Sequence, residues 1–514
     1  MILIITKTTF DEKNIVLGIV RRQALLNTII NYVGVVVGFV NIVVLFPMFL
    51  SEDEFGLTRL TLSLATAMAQ LSSFGVHRIA VKFFPVYRTQ EGRNNGLLRI
   101  LFLVSMAGFT IVTGIYFLIK TQLLQYYEDD SQLFADYYVW VPLSAFGLLL
   151  FIVLESFLQA LRKTVFTNLL RNVIIRIHWL FVLLLYYWGY CTFFQFMILY
   201  LLGYFITSAL CLVQLKLSNE LSLDKNRQYT RKRLLKPLVN YGLYSLLSGI
   251  TAMLITNIDL LMIGALMPED KLKNVGVYAV AVYIASVIYI PSNALSRIAV
   301  PIIAYDWKKR NLKKVEEFYK KSSLILIFLG GIIYGCIALN INEILSLLQP
   351  EFVAAKYVIL ILGAARLFDM AAGVNSVILV VTRFYRAETV IAVLLVFLVV
   401  ATNLIFIPVY GINGAAIATA GVFLFFNVVA FAYIQIKLKM HPFGTGTIYM
   451  LILGIIAGLI VYYIPMEIQN TFLFIVMKSI LFVVLYVVPV YFFKISEDIN
   501  GFVNKLIFRK NKQN

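Results

Sequence analysis

About fourteen stretches of roughly 20 apolar residues follow one another along this 514-residue chain, and no other feature restricts its fold so severely. Approximate spans are 24–50, 56–75, 97–119, 138–161, 164–188, 193–215, 237–264, 275–300, 322–340, 354–382, 386–408, 412–436, 446–465 and 471–493. As a helix, each is long enough to cross a hydrocarbon layer roughly 30 Å thick. In such a layer only helices and closed barrels satisfy the backbone, and runs this continuous, without period-two alternation, read as helices. The fold class expected is an all-α integral membrane bundle. Composition agrees, with 61% hydrophobic and 14% charged residues, where a soluble domain carries roughly a quarter charged.

Basic residues set the orientation. With the N-terminus in the cytoplasm, about 35 of the 44 Lys and Arg fall inside, among them Arg21, Arg22, Arg78, Lys82, Arg88, Arg93, Arg231-Lys232-Arg233 and Lys308 to Lys321. The outer side receives Lys120, Lys271, Lys273 and Lys356 together with short acidic turns, "SEDEF" at Ser51 and "YYEDDSQ" at Tyr126. An even helix count returns both termini to the cytoplasm. The net charge of +18 is dispersed over these inner loops rather than gathered on one face, so nucleic acid is not an expected partner. The N-terminal segment lacks the order of a cleavable signal peptide, and the first long helix is expected to act as an uncleaved signal. Cys191, Cys211 and Cys336 lie in or beside apolar runs and form neither a disulfide framework nor a metal cluster. P-loop, HExxH, GxSxG and CxxC patterns are missing. Neither an enzyme nor a cofactor or metal is expected.

The tetrapeptide Arg-Ile-Ala-Val occurs at Arg78 and again at Arg297, 219 residues later. Each copy follows a helix, an acidic turn and a glycine that opens the next helix, Gly56 in one case and Gly276 in the other, and each runs into a basic stretch. This agreement points to two lobes of six helices, 24–215 and 237–436, related by a parallel pseudo-two-fold along the membrane normal. The expected division is an N-terminal lobe at 1–220, a basic linker at 221–236 that can rest on anionic lipid, a C-terminal lobe at 237–440, and helices 13 and 14 with a tail at 441–514.

Polar residues inside membrane helices are costly and face a cavity or a partner helix. Helix 2 carries Arg59, Ser63, Thr66, Gln70 and Ser73 in one stripe, and helix 1 carries Gln23, Asn27, Asn31, Gly34, Gly38 and Asn41 near one side. Tyr241, Ser245, Ser248, Thr256 and Asp259 of helix 7, and Ser286, Asn293 and Arg297 of helix 8, follow similar lines. A shared aqueous cavity explains all four helices; helix-to-helix glue explains the glycines and serines equally well, and Arg59 is open to snorkelling. Helix 5, "TNLLRNVIIRIHWL", places Asn168, Arg171, Asn172, Arg176 and His178 within less than half its circumference, with Arg176 about 18 Å along. An arginine at that depth requires water, an anionic ligand or an acid, and Glu155 of helix 4 is the nearest acid in sequence. Arg366 and Asp369 of helix 10 have the spacing of a local ion pair. Several membrane arginines suit an anionic, phosphate-bearing substrate, because the guanidinium fork matches phosphate oxygens and keeps its charge. Arg78, Lys82 and Arg297 at the inner mouth either gather such a substrate or express ordinary positive-inside topology.

"NLIFIPVYGINGAAIATAGVF", from Asn403 to Phe423, resembles the Asn…Pro-x-x-Gly-Ile-x-Gly-Ala-Ala-x-Ala signature of bacterial polysaccharide transporters, the oligosaccharide-lipid flippases of the MATE-like (MOP) superfamily. "FGLTRLTLSL", "SSFGVHRIAVKFFPVYR" and "NIDLLMIGAL" are also similar to segments of that family. The resemblance implies a V-shaped pair of six-helix lobes plus two C-terminal helices in the bacterial cytoplasmic (inner) membrane. It implies alternating-access flipping of a polyprenyl diphosphate-linked oligosaccharide for O-antigen, capsule or exopolysaccharide assembly. The arginine cluster of lipid II flippases has no counterpart in helix 1 beyond Arg21-Arg22, so a peptidoglycan precursor is not the expected cargo. Expected substrate contacts are Arg59, Arg78, Lys82, Arg171, Arg176, Arg297 and Arg366, with Asn27, Asn31, Gln70 and Asn293 lining the cavity. Glu155, Asp259, Asp369 and His178 are candidates for coupling to a proton or sodium gradient. Membrane lipids and polysaccharide assembly proteins are the further partners, and a monomer is the expected state. A MATE-type drug/cation antiporter and a membrane glycosyltransferase or polymerase are the alternatives; few deep acids argue against the first and short outer loops against the second.

Overall fold

The computed structural model describes residues 10–88, 94–126, 131–222, 237–238, 241–242, 257–465 and 469–508. Arg93, the basic run Arg231-Lys232-Arg233, and Ser245, Ser248 and Thr256 of the expected helix 7 lie outside the described residues. Within them, all regular structure is helical. Ten described helices are long and apolar enough to cross a membrane, or eleven if the bent pair Pro350–Ala371 and Asn375–Val381 forms one span. The difference from about fourteen has physical causes. One helix, Tyr385–Leu438, carries two of the expected spans. Helix Glu52–Ser72 forms where expected, but its acidic first turn and Arg59 make it more polar than the others. Of the expected helix 7, the described apolar part is Asn257–Leu266.

The chain forms two compact units, Met1–Leu50 with Leu57–Asn257, and Ser51–Gly56 with Ile258–Asn514. Leu238 joins the first unit's core, and the Tyr241 ring lies edge-on to Phe83 at 5.9 Å. The turn Ser51–Gly56 belongs to the second unit.

In the first unit, α1 (Phe10–Phe39) continues through the π-helical segment Val40–Leu45, and is followed by α2 (Glu52–Ser72), α3 (Val76–Tyr87) and α4 (Leu97–Leu118). Then come α5 (Trp140–Ala160), α6 (Thr164–Tyr187) and α7 (Phe193–Leu217). α5 is apolar along most of its length and largely buried, as a helix enclosed by others is. Its Leu148, Leu149, Phe151 and Phe157 are buried against Val76 and Phe84 of α3, Leu97 and Leu101 of α4, Leu170 of α6 and Cys211 and Leu215 of α7. Two aromatics at the far end, Tyr116 and Tyr138, stack at 4.3 Å and each donates its hydroxyl to the other's carbonyl.

The second unit contains α8 (Asn257–Leu266), α9 (Lys271–Ile288), α10 (Ile290–Lys308), α11 (Leu312–Leu339), α12 (Ala355–Ala371) and α13 (Asn375–Val381). α14 (Tyr385–Leu438), α15 (Thr445–Tyr463), α16 (Thr471–Phe492) and α17 (Glu497–Phe508) complete it. α11 carries α15 and α16 on one side through Phe328, Tyr486 and Phe482, and α12 through Ala371 and Leu367. α14 is two helices joined at Gly411, whose φ of 59° and ψ of −138° are open only to glycine at low cost. Large apolar side chains remain exposed along α4 (Ile111, Ile115), α14 (Val390, Leu394, Phe397) and α15 (Ile455, Leu459), the surface a lipid-facing helix presents.

The two glycines matched in the sequence repeat meet in this unit. Gly56 lies so close to α9 that an added Cβ would overlap the Leu272 carbonyl, and a Cβ at Gly276 would stand 3.1 Å from the Glu52 carbonyl oxygen. Beside them, Lys273 Nζ is 2.8 Å from Glu52 Oε2. Because the obstacle at Gly56 is backbone, Gly56→Ala is expected to lower stability by about 1–3 kcal/mol. A thermal unfolding scan of the purified protein checks this, and an unchanged midpoint would remove the close crossing.

Candidate functional site

The first unit contains an open cavity of about 400 Å³ between α2, α3, α5 and α6, a volume within the range of small-molecule sites. Gln70 and Ser73 enter from the end of α2, His77 and Arg78 from α3, Glu155 and Gln159 from α5, and Asn168 and Arg171 from α6. α5 presents Glu155 and Gln159 together because they are one turn apart, and the Gln159 amide donates to Glu155 Oε1 at 3.2 Å.

Arg171 and Glu155 form the centre. Arg171 Nε donates to Glu155 Oε1 at 2.8 Å while Nη2 bonds to Oε2, a two-pronged pair. Their environments are unequal: the Glu155 side chain is 2% exposed and that of Arg171 46%. The guanidinium also lies 5.4 Å from the centre of the Phe151 ring. Arg171 sits in the π-helical stretch Leu170–Ile174 of α6, a widened turn of the kind that re-aims side chains at functional sites. Across the cavity, His77 Nδ1 is 3.3 Å from Ser156 Oγ.

The other polar residues of α6 serve a different purpose. Asn168 donates to the Asn27 carbonyl and Asn27 to Thr164 Oγ1, both at 3.2 Å, while Asn172 donates to Asn31 Oδ1 at 3.2 Å. Arg176 donates to the Gly34 carbonyl, and Asn41 donates to the Arg176 carbonyl at 2.8 Å. A Cβ at Gly34 would stand 2.7 Å from the Asn172 carbonyl oxygen, so α1 and α6 touch there. Asn27, Asn31 and Arg176 thus form a polar seam between two helices, and Asn168 belongs to both seam and cavity. His178 makes a similar tie, with Nε2 3.0 Å from the Leu199 carbonyl of α7. Arg59 is buried, its guanidinium 5.2 Å from the Phe46 ring centre and 6.0 Å from that of Tyr200. Lys82 lies 3.6 Å over the Tyr241 ring.

In the second unit Asp259 is buried and accepts three hydrogen bonds, from Tyr278 Oη (2.8 Å), Asn403 Nδ2 (2.8 Å) and Thr419 Oγ1 (2.6 Å). Asp369 accepts from Asn427 at 2.8 Å, and Asn427 in turn accepts from Asn375 at 2.8 Å. Arg366 is not ion-paired with Asp369 as the spacing suggested; its guanidinium lies 4.2 Å from the Phe423 ring centre and 5.0 Å from that of Tyr289. Asn293 and Arg297 are exposed on α10.

Of the expected site residues, the cavity brings together Gln70, Arg78, Glu155 and Arg171. Gln159 and His77 were missed as site residues. The signal for Gln159 was present, since it follows Glu155 by one turn on a mostly apolar helix, whereas nothing local marks His77.

A profile of the family described as "Polysaccharide biosynthesis protein" matches residues 20–305. A 244-residue stretch is 26% identical to the "Probable low-salt glycan biosynthesis flippase Agl15" of Haloferax volcanii, covering 43% of this chain and 48% of that protein. The chain therefore spans about half the length of this curated relative. A solved structure of "Lipid II flippase MurJ" in an inward closed conformation aligns over 91% of this chain and 99% of its own, with a TM-score of 0.63 and 12% identity. An inward-facing "multidrug resistance MATE family transporter of the MOP superfamily" aligns over 77% and 97%, with a TM-score of 0.60 and 14% identity. At these identities the likeness is one of fold, and it is the MATE-like fold expected from the sequence.

Proposed function

This chain belongs to the polysaccharide biosynthesis protein family, and on that premise we propose that it is a lipid-linked glycan flippase. Its cargo is a polyprenyl diphosphate-linked oligosaccharide, moved by alternating access from the inner to the outer leaflet of the cytoplasmic membrane for surface polysaccharide assembly. The observation that carries this reading is the cavity with Arg171 and Arg78 on its walls among Gln70, Ser73, Gln159 and Asn168. Guanidinium forks match diphosphate oxygens, and neutral amides and hydroxyls exchange hydrogen bonds with sugar hydroxyls without trapping a charge. A polyprenyl tail needs no such partners and stays in hydrocarbon, beside helices whose outer faces are apolar.

The energy source in this reading is an ion gradient. Asp259 is the favoured coupling group among Glu155, Asp259, Asp369 and His178, because three polar side chains already converge on its carboxylate.

The test is the polyprenyl-linked glycan pool of cells with and without the gene, each glycan's leaflet probed by a membrane-impermeant glycosidase. Loss of the gene is expected to accumulate the glycan on the inner leaflet and to deplete surface polysaccharide. An unchanged pool with heightened sensitivity to cationic dyes would replace the flippase by the antiporter. Glycan-bond formation by the purified protein would replace it by a polymerase.

A further inference from the structure

We propose that Glu155 is a built-in competitor for the phosphate site on Arg171: the guanidinium fork that the carboxylate holds in this structure passes to a phosphate of the cargo, and Glu155 takes it back on release. The inference rests on the flippase reading and concerns how one residue pair in that cavity works.

Three observations carry it. First, the pair is two-pronged, Nε to Oε1 at 2.8 Å and Nη2 to Oε2. That is also the geometry in which arginine binds two oxygens of a phosphate, so one partner can substitute for the other at the same nitrogens. Second, the pair is asymmetric, with Glu155 2% and Arg171 46% exposed. The guanidinium is the more accessible partner for a ligand in the cavity, while the carboxylate is held on the largely buried helix α5. Third, Glu155 keeps another donor, the Gln159 amide at 3.2 Å, when Arg171 turns away. A structural ion pair placed only to hold α5 and α6 together has no need of a polar cavity beside it, yet both partners line one.

The device answers a requirement of carriers. An arginine desolvated for phosphate alone would hold its ligand in one site, and losing the ligand would leave the charge without a partner. With Glu155 in reach, binding and release become an exchange of one anionic partner for another, and the site stays selective without becoming a trap.

Binding of farnesyl diphosphate to the full-length protein in phosphatidylcholine nanodiscs tests this. Glu155→Gln preserves shape and removes the competitor, and is expected to bind the probe about tenfold tighter and to release it more slowly, as a charge-assisted competitor predicts. The double variant Glu155→Gln, Arg171→Gln leaves no buried charge unpaired and is expected to lose binding. In the flipping assay Glu155→Gln should show a lower half-saturating cargo level together with slower turnover, a split that a purely structural pair does not produce. If Glu155→Gln fails to elute as a folded species, Glu155→Met makes the same comparison. Equal affinity of wild type and the Glu155 variant, or full binding by the double variant, overturns the exchange. So does a wild-type protein that binds neither the probe nor an anionic headgroup through Arg171. Nanodiscs containing phosphatidylglycerol separate the sources of phosphate: competition that depends on Arg171 assigns the site to a lipid headgroup, and none assigns it to the isoprenoid diphosphate. Failure here with inner-leaflet glycan accumulation intact refutes the exchange alone, whereas an unchanged pool refutes the flippase.

Discussion

Arg171→Ala is expected to destabilise the protein by about 3 kcal/mol, because it strands Glu155 as an uncompensated charge. Glu155 is 2% exposed, and once the guanidinium is gone the Gln159 amide is its one remaining side-chain donor shown here, which does not replace a charge. The figure sits at the low end for a broken buried pair because Arg171 is itself about half exposed and its side of the pair is partly screened. Adding Glu155→Gln to Arg171→Ala is expected to restore most of the loss, since the second change removes the stranded charge. Unfolding of the wild type, both single variants and the double variant in detergent closes the cycle. If the two single losses simply add, the pair is not coupled and the cavity needs a different account.

A larger effect is expected where the two halves of α14 meet. At Gly414 an added Cβ would overlap the carbonyl group of Phe406, eight residues earlier, because the chain has reversed at Gly411 between them. Gly414→Val places two further carbons against unyielding backbone, and a loss of at least about 4 kcal/mol is expected, enough to abolish the folded protein. Gly411→Ala meets no side-chain obstacle nearer than Met267 at 3.6 Å, so its cost is backbone strain alone, about 1–3 kcal/mol. Monodisperse yield after size-exclusion chromatography ranks the two. A well-folded Gly414→Val protein would mean that the reversal is not as tight as described. The glycines of the "GINGAA" segment are thereby explained as geometry: one permits the turn and the other permits the contact.

How much of the site was legible depends on what a polar residue in a membrane helix reveals. Asn27, Asn31, Arg171 and Arg176 gave the same signal in sequence, a polar group at a depth where water is scarce. The structure divides them. Asn27, Asn31 and Arg176 bond to the facing helix, through Thr164, Asn172 and the Gly34 carbonyl, while Arg171 bonds to Glu155 and opens onto a cavity. Helical spacing reports the side of the helix on which a residue lies and is silent about whether another helix or a space faces that side. Arg59 shows the same limit, since the rings of Phe46 and of Tyr200 on α7 cover it.

By itself the sequence determined that this chain is a bundle of membrane-spanning helices, because the backbone's need for hydrogen bonds in hydrocarbon leaves long apolar runs no other regular form. Its expected spans 386–408 and 412–436 also break where the chain turns at Gly411. Only the tertiary structure decided that Gln70, Arg78, Glu155 and Arg171 share one cavity, and that Asp259 gathers Tyr278, Asn403 and Thr419. Those groupings join residues as many as 160 positions apart. They follow from which helices pack together, a choice set by shape and mutual satisfaction across the bundle that no single segment encodes.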